Sequence, residues 1–219
     1  MIESAQELLT RFDVTTTEVD IGDDRFAIVH PKNAEELIDE AAFNRDERLP
    51  YWADVWPSSI ALARAIRAMN GTGLSLLELG CGVGLVAAVA LRAGFDVTAS
   101  DYYDDSLAFT RLNASQNGLR EPKVMHLDWR QLPHAIPAFD LVVGADVLYE
   151  RAYGPVVART IATTLAEKGR ALIADPGRVG APAFFSALHD VGLKHVGANV
   201  VAIPLNGREH SITVHEMAR

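Results

Sequence analysis

Seven residues, Glu78-Leu79-Gly80-Cys81-Gly82-Val83-Gly84, constrain the fold of this chain more than any others. They follow the apolar run LSLLELG (Leu74 to Gly80) and open an alanine-rich segment, Val83 to Ala93. Strand, glycine loop and helix in that order make the unit that receives a ligand at the carboxyl end of a parallel strand. Gly80 permits a tight turn, and Gly82 and Gly84 remove side chains where a ligand approaches the backbone. The spacing discriminates between ligands. A dinucleotide loop reads G-x-G-x-x-G, but here the third glycine comes one residue early and Leu85 stands in its place. A Walker loop needs Gly-Lys-Ser/Thr, which the loop lacks. Asp101 ends the next strand, where a carboxylate can accept both hydroxyls of a ribose. A ribose-bearing ligand without a pyrophosphate fits this pattern; the alternative is an ordinary strand–helix turn that is rich in glycine.

Strands and helices alternate around this unit. A helix is expected over Ser58 to Met69, stopped by Asn70-Gly71-Thr72-Gly73. Strands are expected at Phe95 to Ser100, Pro122 to Leu127, Phe139 to Gly144 and Arg170 to Asp175. Helices fall at Asp104 to Asn117, Ala152 to Ala166 and Pro182 to Val191. Such alternation builds a parallel sheet covered by helices on both faces. The end departs from it: two β-like runs, His195 to Ile203 and Ser211 to Met217, flank Asn206-Gly207 and predict an antiparallel hairpin. The start differs too. Thr15 to Pro31 reads as a hairpin around Gly22-Asp23-Asp24, Asn33 is placed to cap a short helix through Ala42, and Asn44 to Leu49 reads as a loop. Residues 1–48 are therefore expected to form an extension, and residues 49–219 the main domain.

Composition narrows the partners. The chain has 219 residues, consistent with one domain and a small appendage. Lys and Arg number 20 against 29 Asp and Glu, a formal net charge of −9. An acidic surface repels phosphate, so broad electrostatic binding of nucleic acid is not expected, whereas a basic protein or a cationic small molecule is compatible. Cys81 is the one cysteine, which rules out an internal disulfide and a cysteine-based zinc site. The first ten residues do not read as a secretory signal, and no run approaches a membrane span, so the expected location is the cytoplasm. The seven histidines are scattered without the i, i+4 spacing of a helical metal motif, and no metal is expected. The sequence leaves the oligomeric state open, with a monomer favoured.

The loop ELGCGVG, with Ser100-Asp101 at the end of the second strand, resembles the S-adenosylmethionine site of class I, seven-β-strand methyltransferases. Three further segments narrow the resemblance. Asp128-Trp129 follows strand three, where this family holds adenine. Asp146-Val147-Leu148-Tyr149 follows strand four and is similar to the Asp-x-x-Tyr signature of protein-lysine methyltransferases. Pro50 to Pro57 (PYWADVWP) and Asp175-Pro176-Gly177-Arg178 resemble the branch that methylates the electron-transfer-flavoprotein β-subunit. The resemblance covers the chain from about Leu49 onward. It implies a Rossmann-like, doubly wound α/β fold with a mostly parallel seven-stranded sheet. The implied cofactor is S-adenosylmethionine, leaving as S-adenosylhomocysteine. The cofactor residues it implies are Trp56, Glu78, Gly80, Cys81, Gly82, Gly84, Asp101, Tyr102, Asp128, Trp129 and Ala145. Asp146 and Tyr149 are the implied catalytic pair.

The implied chemistry is in-line methyl transfer to a lysine amine, with the protein chiefly aligning the reactants. Asp146 can orient the amine or accept its proton, but a carboxylate beside an ammonium also stabilises the charged form. The plain structural alternative is that Asp146 caps the following helix. Trp52 and Trp56, four apart, share a face if that stretch is helical, with Trp52 equally suited to the core. Cys81 reads as a small filler. Arg178 either meets an acidic partner or pairs with a local carboxylate. A small-molecule amine is the alternative acceptor, with residues 1–48 as its lid. The stretch after strand four lacks the prolines typical of enzymes that methylate DNA bases.

Overall fold

A computed structural model of the protein describes residues 5–37 and 51–219. Seven strands form one sheet in the order β5-β4-β3-β6-β7-β9-β8. They are β3 (Ser75–Leu79), β4 (Asp96–Asp101), β5 (Lys123–His126), β6 (Phe139–Ala145), β7 (Leu165–Asp175), β8 (Lys194–Leu205) and β9 (Arg208–Ala218). The first five are parallel; β9 runs antiparallel to both β7 and β8. The strand order runs outward from β3 toward β5 on one side and from β6 toward β8 on the other. The reversal at β3/β6 opens a crevice at the carboxyl edge, where ligands bind in such sheets. The C-terminal hairpin turns at Asn206 (φ 50°) and Gly207 (φ 72°), two left-handed residues that match the twist of its strands.

Helices cover both faces. On one side lie α2 (Pro57–Arg67), α3 (Leu85–Arg92) and α4 (Asp104–Gln116); on the other, α5 (Tyr153–Thr164) and α6 (Ala181–Leu188). Each side has its own core, one centred on Leu62, Val86 and Phe109, the other on Val142, Ile161 and Phe184. The α3 run LVAAVALR is apolar nearly all round because it is buried between the sheet and its neighbours.

The first strands, β1 (Val14–Ile21) and β2 (Asp24–Pro31), form the expected hairpin as a separate two-stranded sheet. Val19, Ile21, Phe26 and Ile28 are buried in the first core. The free edge of β2 is covered by two carboxamides, Asn113 of α4 and Asn117 at its C-cap. Asn113 accepts from Val29 N–H at 2.8 Å and donates to Val29 O at 2.8 Å. Asn117 does the same for Ala27, at 2.9 Å each way. A helix thus presents a strand-like pair of partners, one turn apart, and seals an edge that would otherwise invite pairing.

Three expectations change. A helix, α1 (Ala5–Arg11), precedes the hairpin; its Leu8 is buried and its Arg11 pairs with Asp105 at the start of α4. The helix expected from Asn33 is a single 3-10 turn over Ala34–Leu37, and its remainder, with the Asn44 to Leu49 loop, lies outside the described residues. Strand β7 begins at Leu165 rather than Arg170; Leu165 pairs with Phe139, and regular pairing resumes at Arg170 with Leu141 after an irregularity. No helix among the described residues is long and apolar enough to cross a membrane.

Candidate active site

The crevice holds a cavity of about 250 Å³. The glycine loop forms its floor. Gly80, Gly82 and Gly84 all sit in the left-handed region, at φ 67°, 54° and 84°. That conformation strains any residue with a Cβ, which is why the sequence spends three glycines in five residues. Their side-chain space differs, however. A Cβ on Gly80 would meet Val147 and Trp129, and one on Gly82 would meet the Trp52 carbonyl at 3.1 Å. Both line the cavity. Gly84 does not: it precedes α3, and a Cβ there would strike the Thr110 backbone at 2.7 Å. Its place is at the α3–α4 packing contact, not at the ligand surface expected from the motif.

Of the implied cofactor residues, Trp56, Glu78, Gly80, Cys81, Gly82, Asp101, Tyr102, Asp128, Trp129 and Ala145 line this cavity, as do Asp146 and Tyr149. Asp101, at the end of β4, accepts Gly82 N–H and Tyr103 N–H at 3.1 Å each. It therefore shapes the glycine loop as well as facing the cavity. Burial pushes its carboxyl pKa up, against the pull of those backbone bonds. Glu78, on β3, is driven well above the usual carboxylate range by burial and then by the charge of Asp101. Glu78 Oε2 and Trp129 Nε1 are buried with no hydrogen-bond partner. One acceptor and one donor, both in the cavity wall, are the unspent polar capacity that a bound polar ligand satisfies. Cys81 is inert filler. Its Sγ meets Ser106 and Thr110 hydroxyls, and burial and both carboxylates raise its pKa well above normal. Asp128 is gripped by Arg130 through Nε at 3.2 Å and a terminal nitrogen at 3.0 Å.

The aromatic wall was only partly legible. Trp52 lies in a 3-10 turn (Tyr51–Ala53) and Trp56 immediately precedes α2, so they do not share a helix face. Trp52 is buried, packs against Phe12, Phe109 and Tyr103, and also lines the cavity. Trp56 donates to Tyr51 O at 2.7 Å. From it a run of touching rings, Trp56–Tyr51–Tyr149–Tyr153–Trp129, follows the cavity from rim to floor, each neighbour within 6.2 Å. Tyr51 and Tyr153 were not singled out in the sequence; Tyr153 is the first residue of α5.

Asp146 follows β6 at φ 59°, a left-handed conformation that aspartate tolerates. It caps no helix: α5 begins seven residues later without a side-chain cap. Instead Arg178 grips it with two bonds, Nε to Oδ1 at 2.6 Å and a terminal nitrogen to Oδ2 at 2.9 Å. That settles the two readings of Arg178 in favour of local pairing. The loops after β6 and β7 are joined as well. Gly180 N–H donates to Leu148 O at 3.0 Å, and a Cβ there would overlap that carbonyl at 2.5 Å. None of the described residues 5–37 lines the cavity.

A family model described as lysine methyltransferase matches residues 43–190. A protein-lysine methyltransferase of Bos taurus is 33% identical over 112 residues, 45% of this chain and 38% of its own. The electron transfer flavoprotein beta subunit lysine methyltransferase of Danio rerio is 32% identical over 133 residues, 59% of this chain and 51% of its own. The EEF1A lysine methyltransferase 3 of Mus musculus is 29% identical over 154 residues, 66% of this chain and 65% of its own. The chain thus spans about half the length of the curated relatives it matches. Among solved structures, magnesium protoporphyrin IX methyltransferase from Synechocystis with bound SAH superposes with a TM-score of 0.62 at 18% identity, over 84% of this chain and 96% of its own. At that identity the likeness shows the fold. With the matched family model covering most of the sheet and its crevice, the chain belongs to the lysine methyltransferase family.

Proposed function

We propose that the chain is an S-adenosylmethionine-dependent N-methyltransferase acting on lysine side chains of a protein in the cytoplasm. One observation carries the reading. A single cavity brings together the left-handed glycine loop, the buried Glu78 and Asp101 carboxylates and the Asp146–Tyr149 loop. The residues present suit the cofactor. Glu78 Oε2 offers an unpartnered polar atom; Trp129 offers an unpartnered N–H; Asp101 faces the cavity as a ribose-hydroxyl acceptor. Glycines leave the floor free of side chains.

S-adenosylmethionine supplies a methyl group on a sulfonium: as the S–CH3 bond breaks and an N–CH3 bond forms, the sulfur becomes a neutral thioether. The chain's own part is to align the acceptor and allow its proton to leave. The rings of Tyr51, Trp56 and Tyr149 form a wall for an alkylammonium side chain. Asp146 fixes the acceptor end of the cavity. Both of its oxygens are already engaged by Arg178, so the acceptor proton leaves to water. A formal charge of −9 favours approach of a basic protein segment.

The test is a lysate incubated with the protein and methyl-labelled cofactor, followed by acid hydrolysis. Labelled methyl-lysine is expected, and Asp146→Ala should abolish it while leaving cofactor affinity intact. Label confined to the small-molecule fraction would replace this reading with that of a small-amine enzyme.

A further inference from the structure

Arg178 is the only basic side chain lining the cavity among the described residues, against five carboxylates: Asp54, Glu78, Asp101, Asp128 and Asp146. Its backbone and its side chain are both tied down. Asp175, at the end of β7, accepts Gly177 N–H at 2.8 Å and Arg178 N–H at 3.0 Å, which fixes the loop that carries the arginine. The guanidinium lies 5.7 Å from the Trp56 ring and bridges both oxygens of Asp146. Ser58, on α2, lies 3.5 Å from Asp146 Oδ2. The Asp146 side chain is 9% exposed and that of Arg178 37%. The pair therefore stands at the cavity wall, with the carboxylate inside and the guanidinium toward the rim.

This arrangement bears on a physical difficulty. An amine must be neutral to attack a methyl group, and its ordinary pKa as a lysine is about 10.4. Carboxylates close to it favour the ammonium form and oppose proton loss. An unneutralised Asp146 in the wall of the proposed acceptor site would trap a lysine as an unreactive cation.

We propose that Arg178 is a positioning residue that neutralises Asp146, so that the acceptor amine loses its proton and reaches the methyl as a nucleophile. The proposal rests on the methyltransferase reading above. It assigns to the arginine a role in reactivity and to the aspartate one of orientation. The charged and titratable groups facing the pair are Asp175 beneath the arginine and the Tyr51 hydroxyl at the rim; Glu78, Asp101, Asp54 and Asp128 share the cavity. None of these is a cation able to replace Arg178.

Two measurements on the full chain test it. The first uses n-butylammonium as a lysine side-chain probe, titrated into protein loaded with S-adenosylhomocysteine at pH 7 and followed by NMR. Arg178→Met frees a carboxylate for the ammonium and should bind the probe about tenfold more tightly than wild type; equal or weaker binding overturns the proposal. The second follows labelled methyl-lysine formed in lysate protein between pH 7 and 10. Arg178→Met should run about tenfold slower at pH 7, the effect of a one-unit rise in acceptor pKa, and regain the wild-type rate as pH rises. Arg178→Lys should restore most of the neutral-pH rate. A constant wild-type-to-variant ratio at every pH would mark a merely structural role and overturn the proposal. If Arg178→Met does not fold, Arg178→Gln carries both comparisons. Failure of wild type to form methyl-lysine would instead count against the methyltransferase reading, and the probe titration stands apart from it.

Discussion

Asn113 ties three parts of the molecule together. From the middle of α4 its carboxamide accepts from Val29 N–H at 2.8 Å and donates to Val29 O at 2.8 Å and to Val83 O at 2.7 Å. The first two bonds hold the N-terminal hairpin; the third holds the glycine loop just before α3. The side chain is fully buried. Asn113→Ala would strip partners from three backbone groups, and each buried group left unsatisfied costs about 1–3 kcal/mol. Because β2 is an edge strand, water can reach part of the gap, so the expected loss is about 3–5 kcal/mol. That is a large share of the roughly 5–15 kcal/mol of a typical domain, but not all of it. Asn117→Ala breaks the Ala27 pair and a bond to Asn113 O at 2.8 Å, in a half-buried setting where water can replace the partners, and should cost about 1–2 kcal/mol. Urea unfolding of both variants checks this, read from the midpoint at unchanged slope. A loss below about 1 kcal/mol for Asn113→Ala, or equal losses for the two, would refute the reasoning.

Glu78→Gln should stabilise the ligand-free protein at neutral pH while weakening cofactor binding. The folded state raises the Glu78 pKa, so the group's contribution to stability is complete below the unfolded carboxyl value of about 4.3 and is lost as pH rises through the folded value. Thermal melts between pH 4 and 8 should therefore fall less steeply for the glutamine variant; parallel curves would contradict this. Asp101→Ala should weaken S-adenosylmethionine binding by about 1–3 kcal/mol in calorimetry, through lost charge-assisted bonds and a loosened Gly82. Gly180→Ala should separate the loops after β6 and β7, because the methyl would overlap the Leu148 and Glu150 carbonyls. Limited proteolysis near Arg178 should then accelerate, and unchanged cleavage would argue against the latch.

Much of this fold is legible because its signals are local. Apolar runs such as LSLLELG and FDLVVG have the length and polarity of buried parallel strands, and Asn206-Gly207 specifies its own turn. The parts that escaped depend on distant residues. Helix α1 has seven residues, too few to persist alone, and exists because Leu8 is buried against the rest of the fold and Arg11 meets Asp105. The start of β7, LAEKGR, carries turn-like chemistry, yet it lies within the strand, pinned to β6 at its two ends by Leu165 opposite Phe139 and Arg170 opposite Leu141. The glycine loop, Asp101 and the Asp146–Tyr149 stretch were readable as motifs. What Asp146 touches was not, since its partner lies 32 positions away on another strand's loop. Gly84 shows the reverse error: a motif glycine whose space is taken by Thr110 rather than by a ligand.

The account stands on one cavity at the β3/β6 switch point holding a sulfonium donor. A crystal soaked with S-adenosylhomocysteine measures this directly. Density is expected over Gly80 and Gly82, with the ribose at Asp101 and a ligand polar atom at Glu78 Oε2. Density elsewhere, or calorimetry showing no uptake of either the donor or its product, would contradict it.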